Sequence, residues 1–131
     1  MEPLAEAADA VSKAKLRIKS WWDFEGVKLL RQAFYGDWEG MHATPSEIAI
    51  TQVAHRSVDA ALASEPPEKL TQDFVRTHAG DKHGPADEHR AQFPDGRVGS
   101  HSALATRAQG AQLKAAAVSA LIKDYEKFVG S

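Results

Sequence analysis

Apolar residues recur at helical spacing in several stretches of the chain and alternate in one. Leu4, Ala7, Ala8 and Val11 share a side of a helix running from Pro3 to about Lys13, and Pro3 suits a first turn, where its missing N–H would have no partner anyway. The period then changes. Leu16, Ile18 and Trp22 alternate with Lys15, Arg17, Lys19 and Trp21, which predicts a half-covered strand with apolar groups on one face and cations on the other. Val27, Leu30, Ala33 and Phe34 return to helical spacing between Phe24 and Tyr35, and Gly36 is placed to end that helix in a left-handed conformation. Helix, strand and helix in that order predict an α/β protein.

Thr44-Pro45-Ser46-Glu47 has the form of a capping box, with Thr44 as N-cap, Pro45 at the first helical position and Glu47 reaching back to the N-cap amide. The helix it opens is expected to run through Ile48, Ile50, Val53 and Ala54. Pro66-Pro67 forces a break before a short extended stretch around Phe74 and Val75. Between residues 79 and 102, Gly80, Gly84, Pro85, Pro94, Gly96 and Gly99 punctuate a polar segment too long for an idle connection, and such loops carry function or cover a neighbour. A last helix is expected over roughly 106–129, with Leu113, Ala117, Ala120, Leu121, Tyr125 and Phe128 on a broad apolar face and Gly130 just past its end. The 131 residues fit a single domain, 1–131.

Composition narrows the partners. Sixteen Lys and Arg against eighteen Asp and Glu leave a net charge of −2, so the basic footprint of a nucleic-acid binder is missing. Without cysteine there is no disulfide, thiolate nucleophile or Cys-ligated zinc, and any metal must use His and carboxylate. Neither a signal peptide nor a membrane span is legible. A cytoplasmic protein with no membrane partner is expected.

Three places hold candidate chemistry. His78, His83, His89 and His101 fall in the irregular segment near Asp81, Asp87 and Glu88, a set that serves either as metal or proton-transfer groups or as solvated loop side chains; no pair has the His-x-x-x-His spacing that puts two imidazoles on one helical face. Trp38-Glu39-Gly40-Met41-His42-Ala43 brings an indole, a carboxylate and an imidazole to a helix N-terminus. Imidazole titrates near neutrality and a helix N-terminus holds anions, although Trp38 in the core and Glu47 as a mere cap partner explain the same residues. Trp21-Trp22-Asp23 lies where the predicted strand ends, and alternation sends its two indoles to opposite faces. No catalytic serine motif, phosphate-cradling loop or dinucleotide fingerprint is present, and Gly96-Arg97-Val98-Gly99 reads as a turn.

The chain resembles the carboxyl-terminal half of the creatininase (creatinine amidohydrolase) family. That family's His-Ala-Gly-Glu-x-Glu-Thr-Ser signature is matched by His42 through Ala49, with His42, Ala43 and Glu47 in register, and Trp38 ahead of the histidine also matches. Gly96-Arg97-Val98-Gly99-Ser100-His101-Ser102-Ala103-Leu104-Ala105 with Gly110 is similar to its Gly-x-x-Gly-Asp-Pro-x-x-Ala…Gly segment. Thr44 and Pro45 replace Gly and Glu, Ile48 and Ala49 replace Thr and Ser, and His101-Ser102 replaces Asp-Pro. The family's amino-terminal metal-ligand segments have no counterpart, so Met1 is expected to be either an internal start or the boundary of a truncated segment.

The resemblance implies a three-layer α/β/α fold, present as a part with a few parallel strands, and hydrolysis of a non-peptide C–N bond in a small amide. A divalent metal (Zn, Mn, Mg or Fe) activates the water, with ligands outside this segment. His42 is the implied proton carrier, Glu47 braces its loop, and Trp38, Trp22 and Trp21 shape the pocket. Homo-oligomers, often hexamers, are implied as well. The alternative expectation is a non-enzymatic oligomerisation or interaction module built from the same fold, and in either case self-association through exposed apolar surface is expected.

Overall fold

The computed structural model describes residues 14–79, 82 and 84–130; the helix expected over Pro3–Lys13 lies outside them, as does His83. Among the described residues five α-helices follow one another: α1 Glu25–Tyr35, α2 Pro45–Ala54, α3 Gln72–His78, α4 Ala86–Gln92 and α5 Arg107–Val129. Short 3-10 turns at Trp21–Asp23, Gly36–Glu39, Ala60–Ala63 and Ser102–Leu104 join or flank them.

The expected α/β three-layer architecture with parallel strands is not what forms. Among the described residues the paired extended backbone is limited to one isolated antiparallel bridge, His42 with Val98. The segment read as a strand has no regular secondary structure over residues 14–20; Ser20 is extended, with φ of −92° and ψ of 131°, and the chain then tightens into the Trp21–Asp23 turn. Period-2 alternation says nothing about a neighbour able to accept ladder hydrogen bonds. Arg17 instead pairs with Asp124 of α5 at 2.8 Å, and Ile18 lies beside Leu121 and Tyr125.

Two other expectations change. The stretch around Phe74 and Val75 is α3, because the Thr71 hydroxyl caps it by accepting from the Phe74 amide at 3.1 Å. The region read as irregular holds α4, with Asp87 and Glu88 in its first turn and His89 and Arg90 in its last, the order that complements a helix dipole.

The core is built where α1, α2 and α5 meet. Val27 and Tyr35 of α1, Ala49 of α2, Ala105 and Leu113 are buried together, with Phe24, Leu30, Phe34 and Ile50 against them. A Cβ at Gly110 would run into the Ala49 carbonyl, so glycine there lets α5 approach the α2 backbone closely. Arg107 fixes the far end by donating to the Gln52 carbonyl at 2.8 Å. Burial and Glu39 push the Tyr35 hydroxyl above its ordinary range, so it stays protonated and donates to Gln109 Oε1 at 3.1 Å. No helix among the described residues is long and apolar enough to cross a membrane.

Candidate functional site

α2 begins as the sequence dictates. Thr44 Oγ1 accepts from the Glu47 amide at 3.1 Å while Glu47 Oε2 accepts from the Thr44 amide at 3.0 Å, a complete capping box behind Pro45. The preceding loop is held against a second segment. Met41 N donates to the Val98 carbonyl at 2.9 Å, Val98 N to the His42 carbonyl at 3.3 Å, and His101 N to the Trp38 carbonyl at 2.9 Å. Ser102 Oγ adds a 2.6 Å bond to the Ala43 carbonyl. Ala43 itself has φ of 54°, a left-handed conformation that costs an alanine on the order of 1–2 kcal/mol. Backbone outliers of this sort persist only where surrounding contacts over-determine them, which these four hydrogen bonds do.

Beside this loop is a cavity of about 540 Å3 lined by Trp21, Trp22, Asp23, Arg31, His42 and Glu47, with Ser20, Gly40, Met41, Thr44 and Ser46 completing it. That volume is within the range of small-molecule sites, about 300–1,000 Å3. Trp21 and Trp22 meet edge to face, ring centroids 5.8 Å apart. Both reach the cavity because a 3-10 turn separates neighbouring side chains by a third of a turn, whereas a strand would have sent them to opposite faces. Trp21 also packs on the core, and Trp22 is 41% exposed.

Under the cavity runs a polar chain. Glu39 is buried; its Oε1 accepts from Ser46 Oγ at 2.6 Å and more weakly from the Ser46 amide at 3.4 Å. Its Oε2 lies 3.6 Å from Arg31 Nε, and Arg31 Nη1 donates to the Trp22 carbonyl at 3.1 Å. The α2 N-terminus expected to receive an anion is therefore occupied from within, by Glu39 and Thr44. Arg31 was not singled out from sequence, yet its signal was there: it shares the inward stripe of Val27, Leu30 and Phe34, where an unpaired cation would be costly.

No family model matches the chain, and none of the curated proteins matches it.

The other expected site residues go elsewhere. Trp38 is half-buried outside this cavity, between the His101 ring at 5.5 Å and Lys69 Nζ, 4.7 Å from its ring centroid. His78 stacks on Phe74 at 3.8 Å. His89 stands 6.4 Å from His42 and 5.2 Å from Phe93, and Phe93 is 5.7 Å from Phe74. A ladder of rings thus ties α3 and α4 to the His42 loop, with His101 on the separate Trp38 side. Among the described residues no three His, Asp or Glu side chains stand together as ligands of one ion.

Proposed function

We propose that the cleft between the Trp21–Asp23 turn, α1 and the start of α2 binds a small amide, with His42 as proton donor to the departing nitrogen. The reaction is a creatininase-like, metal-dependent amide hydrolysis in the cytoplasm. The observation that carries this reading is the direct pairing of the two segments that resemble the family's closing motifs. His42 and Val98 hydrogen-bond across them, beside a cavity walled by two indoles.

Among the described residues no three His, Asp or Glu side chains stand together to hold a divalent ion, so such an ion would have to draw its ligands from outside them. What the chain supplies is binding and a proton. Trp21 and Trp22 give flat apolar walls, Arg31 offers N–H donors for a carbonyl oxygen, and the His42 imidazole acts as general acid. Glu47 keeps its carboxylate in the capping box and so braces the His42 loop without itself moving a proton.

Titration of the protein with small lactams, followed by tryptophan fluorescence, tests the assignment of the walls. Trp22→Ala is expected to weaken binding about tenfold, roughly 1.4 kcal/mol. Trp38→Ala should leave the affinity unchanged, and the reverse pattern would move the site to the His101 side.

A further inference from the structure

α5 carries two apolar faces. One, through Gly110 and Leu113, is buried against α1 and α2. The other is turned outward: Ala111, Ala115, Val118, Ile122, Tyr125 and Val129 are all exposed, the last four by 48%, 53%, 62% and 59%. These six positions step by four and three residues in alternation, the seven-residue repeat of a helix packed along another helix.

The sizes along this seam are graded. Alanine occupies the amino-terminal positions and the large side chains the carboxyl-terminal ones. A parallel copy would stack alanine on alanine at one end, leaving a gap, and Tyr125 on Tyr125 at the other. An antiparallel copy about a two-fold near residue 120 sets Val118 against Ile122 at the centre, and Ala115 against Tyr125 and Ala111 against Val129 outside it, so that in the outer layers a large side chain meets an alanine. Beside the seam the same two-fold brings Gln112 to Glu126 and Lys114 to Phe128, so no like charges meet. We propose that this face binds a second copy of the chain, forming an antiparallel, two-fold α5 dimer.

A helix of 23 residues is about 34 Å long and about 12 Å wide, a face of about 400 Å2. Ile18 on one flank and Val53 on the other extend the apolar surface through adjoining grooves. About 600 Å2 per copy gives about 1,200 Å2 in total, the lower end for specific association and the size class of weak, transient complexes. None of the residues lining the His42 cavity is on this seam.

Sedimentation velocity from about 1 to about 300 μM tests it. The parent should shift from monomer to dimer across that range, while Ile122→Glu weakens association at least tenfold, with an unfolding midpoint equal to the parent's at about 1 μM, where both are monomers. Because the chain lacks cysteine, single cysteines report the register under mild oxidation. Ser119→Cys should cross-link to its own copy, Ala111→Cys should not, and Ala111→Cys with Val129→Cys in one chain should. A parent that stays monomeric, a dimer indifferent to Ile122→Glu, or a self-linked Ala111→Cys would each overturn the proposal.

Discussion

Gly40→Ala is expected to cost about 4 kcal/mol of stability, roughly half from backbone strain and half from steric overlap. Gly40 has φ of 63° and ψ of −152°, a region that is essentially closed to residues with a Cβ. A Cβ built there would lie 2.5 Å from both the Ser100 nitrogen and the Val98 carbonyl oxygen. Backbone cannot swing aside as a lysine tip can. The loop must therefore separate from Val98–Ser100, and the Met41–Val98 and His42–Val98 hydrogen bonds separate with it. Urea denaturation measures the loss directly; a change below about 1 kcal/mol, the scale of an ordinary surface substitution, would mean the two segments are not closely docked.

The next largest effect is expected at Glu39, where alanine should remove about 3 kcal/mol. The cost does not come from losing an attractive pair, since a buried ion pair roughly offsets its own desolvation. It comes from what is left behind. Arg31, whose side chain is only 20% exposed, keeps its charge without a counter-ion, and Ser46 Oγ and the α2 N-terminus lose their acceptor. Glu39→Gln should cost less, because it retains an oxygen for Ser46. The double variant Arg31→Met with Glu39→Leu should recover most of the loss, since no lone charge stays buried. If the double variant is no more stable than Glu39→Ala, the charge argument fails and packing around Glu39 is responsible.

What was legible in the sequence was local. The capping box of Thr44 and Glu47 needs only residues three apart, and the extents of α1 and α5 follow from periodic apolar residues bounded by good terminators. Alternation at Leu16, Ile18 and Trp22 predicts a strand, but a sheet needs partners distant in sequence, and among the described residues only the His42–Val98 bridge forms. On α5 the sequence placed Leu121 and Tyr125 with the inward residues, yet both are exposed. An apolar set too broad for one face was two faces at slightly different periods.

The candidate site shows the same division. His42, Glu47 and the Trp21–Trp22 pair do line one cavity, but Trp38 does not share it. Close spacing to His42 along the chain could not reveal that the Gly36–Glu39 turn rotates Trp38 toward Lys69 and His101 while bringing Glu39 beneath the cavity. Arg31 and Ser46 became visible only once α1 and α2 were packed. A cation on an otherwise apolar stripe was the one sequence signal pointing to Arg31.

In the proposed site a small amide sits between His42 and the two indoles. NMR titration of the full chain with a lactam, following the His42 ring protons and the tryptophan indole N–H signals, measures this. The predicted result is that His42, Trp21 and Trp22 shift together along one saturable binding curve while Trp38 and His101 stay in place. Shifts confined to Trp38 and His101, or none at saturating lactam, would contradict it.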